Sequence, residues 1–531
     1  MQRSRLWFGG GVLFLAVHVL MPAPRAETPA DSLVMANQID DMITLDPAEV
    51  FEFTAAEWAA NVYDRLITYP PDDVEDIQGQ VAESWEIADD GRTYTFKVRD
   101  GITFHSGNPL RAEDAAWSLQ RVVKLNKTPA FILTQFGFTP DNVEQKIKAI
   151  GDLTFTVELD KPYAPTFFLY CLTATVASVV DKELALQHEK DGDLGHEWLR
   201  TNSAASGPFR HVSWKPNESW SLAKNPDYWK GEVGFERVIT RHIAEPSTQM
   251  LLLEKGDIDI ARNLEGDQAE ALRDNEDVVI REVPKGAIYY LGLNQKNEHL
   301  AKPEVRQALK YLVDYDRIVQ TIMKGSATVH QAFLPVGMLG ASQDKPFRLD
   351  IEKAKELLRE AGLEDGFKVT MDTRNTSPVI DIAQVLQGIW AQAGIELEIL
   401  PGDNKQTLTK YRARTHDIYI GRWGPDYQDP HTNADTFTSN PDNQGDHSGK
   451  LAWRNAWDIP ELTAKTEAAV LEQDAQKRAQ MYEELQREVQ ERGPFVIMFQ
   501  DIELIAERAD LEGMIWGPSF DDNRYWQGHK G

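Results

Sequence analysis

The chain has 531 residues and a formal net charge of −28, and 42% of its residues are hydrophobic and 26% are charged. This composition is typical of a globular protein with several domains, and it excludes collagen-like, coiled-coil and disordered chains. Because the surface is strongly negative, it would repel nucleic acid and anionic membranes, and we expect no nucleic-acid partner.

The N-terminal segment has the layout of a secretory signal peptide. Arg3 and Arg5 precede an apolar run over residues 6–21, and small residues lead up to Ala26. The apolar run is shorter than the roughly 20 residues that a membrane-spanning helix needs. We therefore expect cleavage after Ala26, which would remove residues 1–26. No cysteine lies near this position, so we expect no lipid anchor and predict a periplasmic location in a Gram-negative cell.

Strands and helices are mixed along the remaining chain. Alternation of apolar and polar residues predicts half-buried strands over 93–98 and 153–159. Helical periodicity predicts a helix that Asp350 caps and Gly362 ends, and a longer helix over 461–492. Because both element types recur without a fixed repeat, the pattern predicts an α/β fold.

The sequence offers little catalytic or metal-binding chemistry. It contains no G-x-S-x-G, phosphate-loop, H-E-x-x-H or C-x-x-C motif. His188 and His196 lie among carboxylates, but a solvated loop explains them more simply than a metal site. Asp257 and Asp259 alternate with apolar residues and are interpreted as the water-facing side of a strand edge. The single cysteine, Cys171, lies in an apolar run and is interpreted as a buried small hydrophobic residue. We expect no enzyme activity, no cofactor and no metal.

A set of short motifs is spread over nearly the whole mature chain. They are Ala82-Glu83-Ser84-Trp85, residues 90–96, residues 99–107, Ser206-Gly207-Pro208-Phe209, residues 225–229, residues 253–259, Asn294, residues 305–309 and residues 350–362. Together they resemble the family 5 extracellular solute-binding proteins, which include dipeptide-, oligopeptide- and nickel-binding components of ABC importers. We expect most of these residues to have structural roles.

The resemblance implies an α/β fold with two lobes, the type II periplasmic binding protein fold of cluster C, with an additional small subdomain and a two-strand hinge. It implies a discontinuous first lobe of residues 27–68, 198–290 and 502–531, an extra subdomain of residues 69–197, and a second lobe of residues 291–501. The chain is expected to cross between the lobes near residue 290 and to return near residue 500.

The resemblance also implies a function. It predicts the periplasmic substrate-binding component of an ABC transporter, which captures a peptide-like or amino-bearing solute between two closing lobes. The expected partners are a small-molecule or short-peptide ligand and the transmembrane permease subunits with their cytoplasmic ATPase, and we expect a monomer. An opine, a sugar derivative or a nickel chelate remains an alternative ligand, and a ligand-binding sensor an alternative role. A secreted hydrolase would need two carboxyl groups in one cleft, for which Asp426 with Asp429 or Glu52 are poor candidates.

The main candidate for ligand binding is the loop Trp423-Gly424-Pro425-Asp426, which follows a predicted strand. It matches a Trp-x-x-Asp element whose aspartate, in peptide-binding relatives, pairs with the α-ammonium of the ligand. An ammonium taken out of water needs a fixed carboxylate, and Trp423 offers a broad apolar face to the ligand and to its cation. The alternative is a loop-capping aspartate beside a core tryptophan.

A zwitterionic ligand also needs a cation for its carboxylate, and the planar fork of arginine suits that geometry. Dipeptide-binding relatives place such an arginine after an earlier strand of the same lobe, where this sequence has Arg374; the alternative is a solvated surface arginine. Arg422 is a second candidate, or else a strand-end salt-bridge partner. From the opposite lobe, Phe51 and Phe53 are predicted to line the pocket or to fix their loop onto the next helix.

Overall fold

The computed structural model describes residues 27–445, 447 and 449–531. The proposed signal peptide, residues 1–26, lies outside the described residues. The first elements are β1 (Ser32–Asn37), α1 (Phe53–Val62) and β2 (Ile67–Thr68). None of the described helices has the length and apolar character that crossing a membrane requires.

A four-stranded antiparallel sheet with one covering helix forms a small separate layer. Its region comprises β3 (Gln78–Gly79), β4 (Ala82–Ile87), β5 (Thr93–Val98), α2 (Ala112–Leu125), α3 (Phe131–Thr134), α4 (Val143–Lys146), β6 (Ile147–Gly151), β7 (Thr154–Glu158) and α5 (Pro165–Cys171). The strand order is β4-β5-β7-β6, and α2 packs on β6 and β7. Tyr94, Phe96 and Val98 of β5 alternate into its core, as the sequence pattern predicts.

The chain then returns to the sheet that contains β1. The elements here are α6 (Lys182–Gln187), α7 (His196–Leu199), β8 (Phe209–Lys215), β9 (Ser219–Lys224), β10 (Arg237–His242), α8 (Pro246–Lys255), β11 (Ile260–Ala261) and α9 (Gly266–Leu272). Strand β1 pairs in parallel with β10 and β11. This half of the sheet buries Trp58 and Trp220 in its core.

The other half of the sheet begins at a long strand. Its elements are β12 (Val278–Leu293), α10 (Pro303–Tyr311), α11 (Tyr315–Ile318), β13 (Ala327–Val329), α12 (Ile351–Glu360), β14 (Phe367–Arg374), α13 (Val379–Ala391), β15 (Ile395–Gly402), α14 (Asn404–Arg412), β16 (Ile418–Trp423), α15 (His431–Thr438), α16 (Leu451–Arg454), α17 (Pro460–Leu471), α18 (Ala475–Arg492) and β17 (Phe495–Arg508). A short pair, β18 (Leu511–Glu512) and β19 (His529–Lys530), follows. Successive side chains of β12 enter cores on opposite faces of this half, so both faces are covered.

One sheet of eleven described strands joins the two halves. Its order is β15-β14-β16-β12-β17-β11-β1-β10-β9-β8, and β13 pairs with β17. The antiparallel strands β12 and β17 are shared by both halves, and their register shifts between Pro284 and Ile288. Such an irregularity bends a strand pair locally, so the crossing has the form of a two-strand hinge. The α/β class is confirmed, whereas the domain boundaries given above stay a prediction.

Local signals predicted some elements correctly and failed for others. Helix α12 has the predicted cap, because the Asp350 side chain accepts a hydrogen bond from the Lys353 backbone N–H at 2.9 Å. The prediction of one helix over 461–492 was wrong, since α17 and α18 are separate. The break occurs where Asp474 accepts a hydrogen bond from the Lys477 N–H at 2.9 Å and starts a new helix.

Three polar residues have structural partners. The prediction that Asp259 faces water at a strand edge was wrong. Asp259 is fully buried and accepts a hydrogen bond from the Val34 N–H at 2.8 Å. His188 stacks on Trp198 with the ring centroids 4.1 Å apart, and His196 Nδ1 lies 2.8 Å from Asp46 Oδ2. In the described parts of the chain, no three histidine, cysteine or acidic side chains are grouped so that they could hold a metal ion.

Candidate functional site: the cavity between the lobes

A cavity of about 640 Å³ lies where both halves of the sheet and the small subdomain meet. The first lobe lines it with residues 50, 51, 53, 56, 519 and 521, and the subdomain with residues 128, 129, 131, 132 and 174–176. The second lobe lines it with residues 412, 422–426, 435, 436, 447, 449, 450 and 454. This volume is in the range of sites that enclose small ligands. Five of the residues predicted from the sequence to bind ligand line this cavity. They are Phe51 and Phe53 of the first lobe and Arg422, Trp423 and Asp426 of the second.

Asp426 is an acidic group of the cavity wall. Its backbone N–H donates a hydrogen bond to the Thr432 hydroxyl at 3.0 Å. Burial raises the pKa of the Asp426 carboxyl to about 7, and a hydrogen bond with the Thr432 side chain opposes the rise. Among the described residues, no cation forms an ion pair with it. A carboxylate in this state gains from a cation brought by a ligand.

The loop around Asp426 is held at both ends. Trp423 is half-buried, and its indole N–H donates a hydrogen bond to Asn433 Oδ1 at 3.0 Å. Beyond Asp426, the fully buried Asp429 accepts hydrogen bonds from Arg478 at 2.7 and 2.8 Å. Asp429 also accepts a hydrogen bond from the His431 N–H at 2.9 Å.

Arg422 has a carboxylate partner within the protein. Its guanidinium forms an ion pair with Asp501 on β17 and lies 5.6 Å from the Phe53 ring centroid. Burial raises the pKa of Asp501, and the Arg422 charge opposes the rise. The structure thus contains the strand-end salt bridge that was the alternative interpretation of Arg422, and a ligand contact of this residue stays a prediction.

Phe51 and Phe53 form an apolar wall opposite the Asp426 loop. Their side chains are 40% and 46% exposed, which is high for phenylalanine. Phe51 meets Phe131 of the subdomain edge to face at 6.1 Å. Phe53 packs on Phe520 at 4.6 Å. An apolar ligand surface would cover these rings on binding.

Arg374 ends β14 and is half-buried, but it is not among the described residues that line the cavity. Burial raises the pKa of the neighbouring Tyr419 hydroxyl, and the charges of Arg374, Arg454 and Arg412 oppose the rise. The charges of these three arginines therefore all act on one hydroxyl, and we call the three residues the cationic corner. Arg412 and Arg454 do line the cavity.

Sequence reasoning did not single out Arg412 and Arg454. They lie in the last turns of α14 and α16, where basic residues are common because they stabilise the helix end. Nothing in the local sequence distinguishes such residues from ligand-binding ones.

A charged network joins α1 to the hinge strands β12 and β17. Arg262 binds Glu57 of α1 at 2.5 Å and also pairs with Glu503 of β17. Lys285 of β12 lies 3.1 Å from Glu503. Glu57, Arg262 and Lys285 are buried and Glu503 is half-buried, so mutual pairing is what makes their charges tolerable there.

The comparison with known families decides what this architecture is. A family model described as "Bacterial extracellular solute-binding proteins, family 5 Middle" matches residues 76–445. The chain belongs to this family. Its members bind solutes, and the motif resemblance noted in the sequence is confirmed.

Individual members of the family extend the match to almost the whole chain. The probable D,D-dipeptide-binding periplasmic protein DdpA of Escherichia coli is 28% identical over 98% of this chain and 98% of its own length. The dipeptide-binding protein of Escherichia coli is 25% identical over 86% of this chain and 87% of its own.

Solved structures of the family share the fold. One is the ABC transporter-associated periplasmic binding protein DppA of Helicobacter pylori in complex with the peptide STSA. It is 25% identical to this chain and superimposes with a TM-score of 0.78, and the match covers 94% of this chain and 98% of DppA. The predicted two-lobed, type II solute-binding fold is thereby confirmed.

Proposed function

We propose that this family 5 solute-binding protein is the periplasmic receptor of an ABC importer for short peptides or related amino-bearing solutes. The observation that carries the proposal is Asp426, a carboxylate that lines the inter-lobe cavity and has no ionic partner among the described residues. The two Escherichia coli relatives, which match 98% and 86% of this chain, are a probable D,D-dipeptide-binding protein and a dipeptide-binding protein, which supports the choice of ligand class.

In this proposal the ligand's ammonium group pairs with Asp426. The protein itself desolvates the carboxylate, since burial raises the pKa of Asp426. An ammonium ligand therefore restores the ionised form and gains a charge-assisted hydrogen bond in a site of low polarity. Trp423 covers the adjacent part of the ligand with its half-buried face.

The ligand's α-carboxylate is assigned to Arg374. This residue belongs to the cationic corner, whose other two members line the cavity. Its neighbour Tyr419 is 3% exposed, so the tyrosine ring beside the Arg374 guanidinium is held rigidly. Arg422, in contrast, is already paired with Asp501 and contributes to the cavity wall.

Binding is proposed to shift the lobes from open to closed. The wall residues come from both lobes and from the subdomain, so a ligand can touch all of them only when the lobes are together. The strands β12 and β17 provide the hinge. Transfer to permease subunits with a cytoplasmic ATPase, a monomeric state and signal-dependent export to the periplasm complete the proposal.

The same geometry supports a receptor rather than a hydrolase. Asp429, the nearest candidate for a second catalytic carboxylate, is fully buried and bound by both terminal nitrogens of Arg478. A carboxylate held in this way is not available for proton transfer to a ligand in the cavity.

A thermal-shift screen tests the proposal. The purified mature protein is stripped of bound ligand, and its melting temperature is measured with L- and D-dipeptides, N-acetylated dipeptides, opines, amino sugars and nickel chelates. Selective binding to the native state raises the melting temperature. A rise with free dipeptides that is lost on acetylation and in Asp426→Asn supports the proposal. A rise with only an opine, sugar or chelate overturns the ligand class, and turnover of any of these compounds overturns the receptor role.

A further inference from the structure

The first lobe and the subdomain present an almost uncharged face to the cavity. Of their described lining residues, Asp521 alone has an ionisable side chain, and it is paired with Arg65 at 3.0 Å. The other ionisable residues of the described wall belong to the second lobe. A ligand that fills the cavity therefore meets charges on one side and mostly apolar side chains on the other, which favours an amphiphilic molecule.

Phe131 of the subdomain extends this face beyond the wall formed by Phe51 and Phe53. It is the first residue of α3, lines the cavity and is 40% exposed. Its ring meets the Phe51 ring edge to face, with the centroids 6.1 Å apart. The next two residues, Ile132 and Leu133, are buried in the subdomain core, so the turn that carries Phe131 is anchored. Exposed aromatic rings grouped on a concave surface are typical of a ligand-binding groove.

The loop that carries Phe51 is fixed to the same subdomain. Asp46 accepts hydrogen bonds from the Arg121 guanidinium of α2 at 2.7 and 2.5 Å, and both side chains are buried. The Asp46 carbonyl accepts a hydrogen bond from the Val50 N–H at 2.8 Å, next to Phe51. The Phe51–Phe131 pair is therefore held in place across the boundary between the first lobe and the subdomain. Rings that are already in place lose little conformational entropy when a ligand covers them.

The end groups of a peptide do not use this pair of rings. The ammonium and the α-carboxylate are assigned to Asp426 and Arg374, and neither group gains from an uncharged aromatic pair. The cavity volume of about 640 Å³ is in the range of pockets that enclose whole drug-sized molecules. It therefore has room for a side chain on the apolar face, and covering the rings would remove apolar surface from water.

We propose that Phe51 and Phe131 form an apolar subsite, which selects peptides that carry a bulky apolar side chain. This inference rests on the proposed function, because it assigns the two ends of the peptide to Asp426 and Arg374. It adds a preference by side chain that neither end group supplies. Because both rings belong to the first lobe and the subdomain, the subsite exists before the second lobe closes on the ligand.

The test uses two dipeptides of similar size and different polarity, Leu-Leu and Asn-Asn. Both positions are changed together, so the result does not depend on which side chain faces the subsite. The affinities are measured by calorimetry for the wild type, Phe131→Ala, Phe131→Leu and Ile87→Ala. Ile87 is the control because it lies on β4 of the same subdomain, is 37% exposed and is not among the described residues that line the cavity.

We expect the wild type and Ile87→Ala to bind Leu-Leu about tenfold more tightly than Asn-Asn, because an apolar side chain gains more from covering the rings. Phe131→Ala should reduce this ratio by about fivefold, and Phe131→Leu should keep most of it. Equal affinities of the two dipeptides for the wild type would overturn the proposal. So would an unchanged ratio in Phe131→Ala, or an equal loss of both dipeptides, since an equal loss would assign the pair to lobe closure instead.

A third probe separates this proposal from the proposed function. The fluorophore N-phenyl-1-naphthylamine is apolar and uncharged, so its binding does not depend on a peptide end at Asp426 or Arg374. If neither dipeptide binds, the peptide receptor role fails while the subsite is still tested. A rise in emission that Phe131→Ala abolishes and Ile87→Ala keeps would then support the subsite. No rise, or the same rise in Phe131→Ala, would overturn it.

Discussion

Arg478 of α18 and Asp429 of the loop around Asp426 form a fully buried, bidentate ion pair, with nitrogen–oxygen distances of 2.7 and 2.8 Å. The same guanidinium donates a hydrogen bond to the Thr166 hydroxyl of the subdomain at 3.0 Å. One side chain thus fixes the loop that carries Asp426 and joins it to a second unit of the protein. Because the pair is buried, its two members depend on each other.

Removal of Arg478 is expected to destabilise the protein strongly. In Arg478→Leu the Asp429 carboxylate would be left buried without its cation, which costs about 3 to 5 kcal/mol. Urea unfolding of the unliganded protein measures this change. The neighbouring Lys477 pairs with Glu472 on the surface, so Lys477→Leu should leave the unfolding midpoint nearly unchanged. A midpoint of Arg478→Leu equal to the wild type would show that the pair does not hold the loop.

The affinity for an amino-bearing ligand should fall as the pH falls below 7. Burial raises the pKa of Asp426 to about 7, and only the ionised carboxylate pairs with an ammonium. Between pH 7 and 5.5 the ionised fraction decreases by roughly tenfold, while a peptide amine with its pKa near 8 stays protonated. Calorimetry with dialanine should therefore show an affinity roughly tenfold weaker at pH 5.5. In Asp426→Asn the affinity should be weak and independent of pH over this range.

The same group makes an opposite contribution to the stability of the unliganded protein. Between the unfolded pKa near 4 and the folded pKa of about 7, the native state holds a proton that the unfolded chain has released. The contribution of Asp426 to the free energy of unfolding therefore decreases as the pH rises through this window. Asp426→Asn should lose this decrease. If the wild type and the variant show the same dependence on pH between 4 and 7, the raised pKa is wrong.

The apolar wall is expected to serve the ligand more than the fold. Phe53 remains 46% exposed beside the cavity, so covering it on binding should contribute about 1 kcal/mol. Phe53→Ala should weaken dialanine binding by roughly fivefold and change the unliganded melting temperature little. Ile150→Ala, at an apolar position that is 58% exposed outside the cavity, is the control. A variant that loses melting temperature but keeps its affinity would reverse this assignment.

The sequence predicted the local features of the fold better than the distant ones. Helix α12 follows from a capping aspartate and a regular apolar face. The break between α17 and α18 was missed because the Gln473 side chain is held by the carbonyls of Pro162 and Tyr163, a tertiary contact that hydrophobic periodicity does not contain. In the same way Asp259 resembles an exposed strand residue, although Lys530 lies 3.0 Å from its carboxylate after the chain has returned from the far lobe.

The site shows the same division between local and distant information. Asp426 and Trp423 belong to one short motif, and both line the cavity. Arg412 and Arg454 are 42 residues apart in the chain, and no motif connects them. They meet only because α14 and α16 pack near β16 around Tyr419 and Tyr411. Whether any of these residues contacts a ligand stays a prediction.

The break between α17 and α18 brings lobe and subdomain together away from the ligand cavity. The Gln473 side chain donates hydrogen bonds to the carbonyls of Pro162 and Tyr163, each at 3.0 Å. Nearby, the Ala164 N–H donates to the Val470 carbonyl at 2.9 Å. Rotation about β12 and β17 would separate these groups, so the contact should stabilise the closed arrangement alone.

Gln473→Ala is therefore expected to weaken ligand binding although Gln473 is not among the described residues that line the cavity. Losing hydrogen bonds worth about 0.5 to 1.5 kcal/mol would reduce the closed population, and with it the dialanine affinity, by roughly two- to tenfold. Gln384→Ala, at an exposed position of α13, provides the matched control. Calorimetry measures the affinity, and stopped-flow dissociation measures the rate of ligand release. Release should be faster from Gln473→Ala than from the control, because a less stable closed state opens more often. Unchanged affinity and release in Gln473→Ala would mean that the lobe and the subdomain move together when the protein opens.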